Sequence, residues 1–236
     1  IIFCHGSGDT GAGVQAWVQS LIPPPKYNEW EWIFPSAKPI PYQLNGGQIT
    51  SVWYDRIGGF APSFPEMTET IEPSTKQLLG VIEKELKKDP QRSPREIVIG
   101  GFSMGGNIAY QTAARWHAGT RNDPLGAVFG LSCYLNHNSR VWSLLEDEDE
   151  QSTSTARRWP PTFCAHGTAD DFILPDWGQD TYNRLVKAGI SSESKFILFP
   201  GVQHEMVSSE MNQLLSFLKT VMQKNDAALA AEKESS

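Results

Sequence analysis

Cysteine is scarce in this chain of 236 residues, which carries only Cys4, Cys133 and Cys164. Three cysteines this far apart argue against the disulfide framework of a small secreted domain. Two of them fall in short apolar runs typical of strands, where a free thiol behaves as a small buried hydrophobe. We therefore expect buried free thiols and a reducing compartment such as the cytoplasm.

The sequence also lacks an excess of positive charge and any long apolar run. It has 20 Lys and Arg against 27 Asp and Glu, a formal net charge of -7. Nucleic-acid partners require a basic surface, so this balance argues against them. Nothing in the sequence predicts a membrane span or a basic amphipathic helix. The remaining composition is that of a globular protein, long enough for one domain with a sizeable core.

Predicted strands and helices alternate along the chain. The strands are expected at 1–4, 31–34, 97–100, 125–131, 162–165 and 195–199. The main helices are expected at 14–22, 70–88, 107–117 and 206–222. This alternation is typical of an α/β fold whose mostly parallel sheet is covered by helices on both faces.

The sequence predicts a single domain over residues 1–224. Four segments of the chain depart from its regular pattern of strands and helices. Residues 225–236, rich in Ala, Glu, Lys and Ser, are predicted to be a flexible helical tail. The segment 35–65 combines Gly, Pro and aromatics with little periodicity, and long loops of this kind are often functional. The acidic, hydroxyl-rich segment 146–155 is predicted to be a solvated surface loop. Because the chain starts inside a predicted strand without Met, we expect the natural N-terminus to lie upstream.

Ser103 stands at the centre of the most informative run, Ile97-Val-Ile-Gly-Gly-Phe-Ser-Met-Gly-Gly. A β-branched strand, a Gly-x-Ser-x-Gly turn and a helical pattern follow one another, which is the context of a nucleophile elbow. A Cβ at Gly101 or Gly105 is expected to meet the adjoining strand or helix. The pentapeptide alone should occur by chance in roughly one chain in ten, so its flanking elements supply the specificity.

A serine hydroxyl needs an adjacent base, and the base needs an orienting carboxylate. One widespread arrangement places them in the chain order Ser, Asp or Glu, His, each after a strand. His204 is the histidine that both follows a strand end and comes last. Asp170 and Asp171 both follow the strand at 162–165, and spacing does not choose between them. The other histidines are assigned to packing, helix-end or loop positions, namely His5, His166, His117 and His137.

Acyl transfer also needs donors for the oxyanion that forms on the substrate carbonyl. The sequence predicts one donor at the backbone N–H of Met104, directly after the serine, and a second at Ser7 in the early Gly-rich turn. The competing interpretation of this turn is a phosphate-binding loop. It is weak, because no Lys-Ser/Thr pair follows the glycines.

Six motifs resemble those of the acyl-protein thioesterase/lysophospholipase family of α/β-hydrolases, in the same order and over nearly the whole chain. They are His5-Gly-Ser-Gly-Asp-Thr-Gly, Val52-Trp-Tyr-Asp, Gly100-Gly-Phe-Ser-Met-Gly-Gly, Leu131-Ser-Cys-Tyr-Leu, His166-Gly-Thr-Ala-Asp and Gly201-Val-Gln-His. The resemblance implies an α/β-hydrolase fold. It implies Ser103 as nucleophile, Asp170 as acid and His204 as base. It also implies oxyanion contacts from the amides of Ser7 and Met104.

The resemblance further implies a small-molecule ester or an acylated protein as substrate, and neither a metal nor an organic cofactor. Met104 stands where acyl-protein thioesterases usually carry Gln, which makes the chain most similar to the lysophospholipase-like branch, associated with short acyl chains. Protein depalmitoylation or lysophospholipid hydrolysis, with long acyl chains, is the alternative. A non-catalytic binding protein that keeps a relic triad is the alternative from another class.

An acyl chain needs an apolar channel that ends near the reactive serine. Trp53, Tyr54 and Phe60 in the long loop are candidate walls, although support of the fold near the site is the favoured role of Trp53 and Tyr54. Phe172, Ile173 and Leu174 are the others, because they directly follow the acid on the catalytic edge of the sheet. Ordinary core packing is the alternative role for each of them, and the sequence leaves the oligomeric state open.

Overall fold

Short apolar runs separated by helical patterns form the strands of one central sheet. The computed structural model describes residues 1–119, 123–146 and 159–234. In chain order its elements are β1 (Ile2–Cys4), α1 (Gly11–Leu21), α2 (Pro24–Tyr27), β2 (Pro39–Tyr42), β3 (Gln48–Ser51), α3 (Thr68–Lys88), β4 (Val98–Phe102), α4 (Met104–Ala118), β5 (Ala127–Leu131), α5 (Arg140–Glu146), β6 (Thr162–Gly167), α6 (Pro175–Lys187), β7 (Lys195–Phe199) and α7 (Ser208–Glu234). The predicted acidic loop falls almost wholly on residues 147–158, outside the described residues.

The central sheet has the strand order β1-β4-β5-β6-β7, and every pair is parallel. Side chains alternate across it, so that Ile2 and Cys4 join one apolar cluster and Phe3 joins the other. Helices α3, α4 and α6 contribute to the first cluster, and α1 and α7 to the second. The predicted α/β fold with helices on both faces is therefore confirmed. The three cysteines are free and buried, as expected.

Two predictions about strands were wrong. Residues 31–34 form a single bridge, Ile33 with Ile2, rather than a strand, because Pro35 directly beyond has no amide hydrogen to extend the pairing. The segment 35–65, expected to be irregular, contains the antiparallel hairpin of β2 and β3. The sequence does not predict β2 because it contains Pro39 and Pro41, and proline is rare inside strands.

The C-terminal segment continues as helix as far as Glu234. Asn225 donates its amide to the carbonyl oxygens of Arg95 (3.0 Å) and Gly126 (3.4 Å), and Glu232 lies 2.7 Å from the Arg95 guanidinium. These contacts attach α7 to the segments that directly precede β4 and β5. Across the residues that the structure describes, no helix is both long and apolar enough to cross a membrane.

The turn between β4 and α4 is packed against β1 as closely as backbone allows. A Cβ at Gly105 would lie 2.0 Å from the Cys4 carbonyl oxygen, and one at Gly101 would lie 2.3 Å from the same oxygen. The neighbouring atoms are backbone and cannot move aside. The expectation that both glycines are required for space is confirmed.

Replacing Gly105 by Ala should lower the free energy of unfolding by about 3 kcal/mol, the upper end of the usual cost of overpacking. Gly80→Ala is the matched control, because an added Cβ there meets nothing within 4 Å. In the exposed middle of α3, this alanine should stabilise by about 0.5–1 kcal/mol. Urea unfolding measures both changes, and a Gly105→Ala protein as stable as the wild type would contradict the clash.

Candidate active site

Ser103 occupies a strained turn between β4 and α4. Its φ of 54° and ψ of -121° are rare for a residue with a side chain. The turn is held by its own backbone bonds: the Ser103 N–H donates to the Leu131 carbonyl at 2.8 Å, and its carbonyl accepts from Gly106 at 3.0 Å. The strain therefore persists because the surrounding sheet and helix fix both sides of the residue.

His204 lies in the loop between β7 and α7, and its imidazole connects the serine to a carboxylate. Its Nε2 is 3.0 Å from Ser103 Oγ, and its Nδ1 is 2.8 Å from Asp170 Oδ2. Since a carboxylate only accepts, Nδ1 carries the proton and Nε2 is free to accept from the serine hydroxyl. The structure thus brings together the three side chains that the sequence selected.

Asp170 follows β6 and is 2% exposed, whereas Asp171 is exposed. Oδ1 of Asp170 accepts from the backbone N–H groups of Phe172 (3.1 Å) and Ile173 (2.8 Å). Burial would raise the pKa of this carboxyl, but hydrogen bonds from His166, His204 and Ile173 hold the pKa well below its usual range. The carboxylate is therefore charged throughout the neutral range.

His166 is a neighbour of this carboxylate that sequence reasoning assigned to packing alone. It is fully buried, and its Nε2–H donates to the Ile173 carbonyl at 2.7 Å and lies 3.3 Å from Asp170 Oδ2. A histidine four residues before the acid, at the end of the same strand, is the signal in the sequence that marks it. His5 does pack at a turn: its Nε2 accepts from the Ala37 N–H at 3.0 Å.

The early Gly-rich turn lies directly against the elbow. A Cβ on Gly6 would be 3.7 Å from the Ser103 Cβ, and the Ser7 hydroxyl donates to the Met104 sulfur at 3.6 Å. Within the described ranges, the backbone N–H groups of Ser7 and Met104 have no hydrogen-bond acceptor. Met104 is also the first residue of α4, where the helix dipole favours negative charge. Both amides are available to an oxyanion.

The predicted acyl-pocket residues fall into two groups. Phe172 and Leu174 are 47% and 41% exposed, and the Phe172 ring lies 5.1 Å from the His204 ring. Trp53 is not a pocket residue and supports the fold instead, because it is completely buried and its indole donates to the His5 carbonyl at 2.9 Å. It braces the early turn from below. Ile173 is also buried, and its backbone holds Asp170.

A second aromatic ring of the predicted acyl-channel wall lies beside the site. Phe60, in the loop after β3, packs on Phe172 with 4.6 Å between ring centroids. Together they form an aromatic wall along one side of the imidazole. As for metals, the described residues contain no group of three or more His, Cys, Asp or Glu side chains that could hold an ion.

Comparison with known proteins agrees with this geometry. The sequence pattern of the phospholipase/carboxylesterase family matches residues 1–222. Lysophospholipase-like protein 1 of Mus musculus is 34% identical over 221 residues, which cover 93% of this chain and 85% of that protein. Acyl-protein thioesterase 1 of Gibberella zeae is 30% identical over 223 residues, which cover 93% of this chain and 88% of that protein.

Solved structures share the fold over almost the whole chain. SOBER1 of Arabidopsis thaliana superposes with a TM-score of 0.77 at 23% identity, covering 94% of this chain and 97% of its own. Acyl-protein thioesterase 2 of Zea mays superposes with a TM-score of 0.75 at 25% identity, covering 94% and 92%. The family pattern and the two relatives show that this chain belongs to the phospholipase/carboxylesterase family of α/β-hydrolases and is a hydrolase of esters or thioesters.

Proposed function

We propose that the chain hydrolyses carboxylic esters or thioesters through an acyl-enzyme on Ser103. The observation that carries this proposal is the continuous hydrogen-bonded path from Ser103 through His204 to Asp170, with 3.0 Å and 2.8 Å steps. A serine activated by a base, with the base oriented by a buried carboxylate, is the arrangement that nucleophilic catalysis requires. The strained elbow and the two free amides beside it supply the remaining parts.

Acylation begins when Ser103 Oγ attacks the substrate carbonyl carbon while His204 Nε2 takes the hydroxyl proton. The oxygen of the tetrahedral intermediate accepts from the backbone N–H groups of Ser7 and Met104. Asp170 holds the imidazole in the tautomer that accepts at Nε2 and stabilises the imidazolium. His204 then gives its proton to the leaving alcohol or thiol, and the acyl group stays on the serine.

Deacylation repeats these steps with water as the nucleophile. His204 takes a proton from the water, the hydroxide adds to the acyl carbon, and the oxyanion again faces Ser7 and Met104. Collapse of the intermediate releases the carboxylic acid and returns the proton to Ser103. No step needs a group from outside the chain other than water and substrate.

We propose that short acyl groups are preferred. Phe60 and Phe172 close together beside the imidazole, while Trp53 and Ile173 belong to the core and do not line a channel. Long acyl chains on proteins or lysophospholipids are the alternative, which the relatives named acyl-protein thioesterase favour. The buried free thiols suit a reducing compartment, and we place the enzyme in the cytoplasm.

Ser103→Ala should lower kcat on a p-nitrophenyl ester by roughly 10⁵–10⁶-fold, as removal of a serine nucleophile does elsewhere. Ser132→Ala is the control, because Ser132 shares the positive φ (47°) and its buried hydroxyl makes no hydrogen bond within the described residues. A fluorophosphonate probe should label the wild type at Ser103. Absence of labelling in folded protein would favour a non-catalytic binding protein.

Asp170→Asn should lower kcat by about 10⁴-fold with little change in KM, because an amide cannot stabilise the imidazolium and favours the wrong tautomer. Asp171→Asn, at the exposed neighbour, should leave kcat unchanged. The two variants are compared by steady-state hydrolysis of the same ester. Equal effects would remove Asp170 from its assigned role.

The acyl preference is tested with acetyl, butyryl, octanoyl and palmitoyl esters and thioesters, using Ser103→Ala to subtract background hydrolysis. We expect kcat/KM to be highest for acetyl or butyryl and to fall with length, because Phe60 and Phe172 pack together beside the imidazole. A maximum at palmitoyl would instead establish the acyl-protein thioesterase alternative.

A further inference from the structure

Arg56 carries a buried positive charge to which no carboxylate is paired. Its side chain is 8% exposed, and its two terminal nitrogens donate to the hydroxyls of Tyr134 and Tyr54. Among the residues that the structure describes, no Asp or Glu lies within ion-pair distance of its guanidinium. The adjacent Asp55 turns away, and its Oδ1 accepts from the backbone N–H groups of Gln43 and Arg56.

Aromatic rings surround this guanidinium. Its Cζ lies 5.2 Å, 5.4 Å and 5.3 Å from the ring centroids of Tyr54, Phe60 and Tyr134. Ring faces attract a cation, but they accept no directed hydrogen bond, and Arg56 Nε has no hydrogen-bond partner among the described residues. A buried guanidinium is costly unless it is paired and all its donors are used. An unpaired one beside an active site therefore indicates an anion supplied by a ligand.

A second unused donor lies next to this group. Tyr42 is 6% exposed, and in the part of the chain that the structure describes its hydroxyl meets the geometric criteria for a hydrogen bond with no other group. Burial raises the pKa of this phenol, although the Arg56 charge and the Ser7 hydroxyl act in the opposite direction. The adjacent Ser7 hydroxyl donates to the Met104 sulfur, so towards this phenol it can act only as an acceptor. Arg56 Nε and the Tyr42 hydroxyl are therefore the two donors that remain for a ligand that accepts hydrogen bonds.

We call Arg56, Tyr42, Tyr54 and Tyr134 the Arg56 cage. On one side, Tyr42 adjoins Ser7, the residue whose amide we assign to the oxyanion. On the other, Phe60 covers the guanidinium and packs on Phe172, which contacts His204. The cage is therefore connected through packed side chains to Ser7 on one side and to His204 on the other.

We propose that the Arg56 cage is a subsite for a carboxylate carried by the substrate, so that the preferred substrates are short esters or thioesters bearing one free carboxylate. The inference rests on the proposed function and names its substrate class. A singly charged carboxylate has two acceptor oxygens, one for Arg56 Nε and one for the Tyr42 hydroxyl. A phosphate, with nearly two charges, would need more cations than this single guanidinium.

The test compares matched pairs of charged and neutral substrates on the full chain. On the acyl side the pair is p-nitrophenyl hemiglutarate and p-nitrophenyl pentanoate, which differ only in a terminal carboxylate against a methyl. On the leaving-group side the pair is 3-carboxyphenyl acetate and phenyl acetate. We expect kcat/KM to favour the charged member by about tenfold or more in one pair, the scale of a hydrogen bond to a charged group. That pair identifies which half of the substrate enters the cage.

Variants then assign the preference to the cage. Arg56→Met should lower the charged-to-neutral ratio of kcat/KM by about 10- to 100-fold, because the flexible thioether fills the space without charge. Tyr42→Phe should lower the ratio by about threefold to tenfold, and it should keep the melting temperature because the lost hydroxyl makes no bond. Arg140→Met, an exposed arginine paired with Glu72, is the matched control and should keep the ratio.

No preference for the charged member in either pair would overturn the proposal, and so would a ratio that Arg56→Met and Tyr42→Phe leave unchanged. The second result would mean that Arg56 only holds the Phe60 loop in place. Failure of the proposed function is a different outcome, in which the wild type hydrolyses neither member of any pair and a fluorophosphonate does not label Ser103. If Arg56→Met does not fold, Tyr42→Phe decides alone.

Discussion

The close contact between the elbow and the first strand is the constraint on which the site depends. Gly101 and Gly105 bring the turn so near to the Cys4 carbonyl oxygen that no side chain fits at either position. This contact forces Ser103 into its rare backbone conformation and places the start of α4 beneath it. It also sets the early turn of Ser7 beside the elbow, because that turn directly follows β1. One backbone approach therefore positions the serine and both oxyanion donors.

Asp170 and Arg56 are both buried charged residues, but their hydrogen-bond partners differ. Asp170 receives hydrogen bonds from His166, His204 and two backbone amides, so its charge is fully satisfied and serves to orient the imidazole. Arg56 donates only to phenol oxygens, and its remaining contacts are with the faces of aromatic rings. A charge that the fold satisfies is part of the scaffold of the reaction. A charge that the fold leaves unpaired is available for recognition of a substrate.

Much of the fold could be predicted because its signals are local. The runs at β4, β5, β6 and β7 are apolar and bounded by polar or glycine residues, so periodicity found them without any knowledge of contacts. The hairpin of β2 and β3 could not be predicted in this way, because prolines in a sequence are typical of loops rather than strands. At residues 31–34 the error is the reverse, because an apolar run predicts a strand even where only one residue, Ile33, is paired.

The sequence by itself determined the fold class, the elbow at Ser103 and the order in which an acid and a base follow it. These are properties of local pattern and of the sheet edge at which parallel strands end. Tertiary structure alone decided that Asp170 is buried and Asp171 exposed, that Trp53 donates to the His5 carbonyl, and that Arg56 is buried with no carboxylate partner among the described residues. Burial and pairing arise between segments far apart in the chain, and no local pattern records which donors and acceptors meet there.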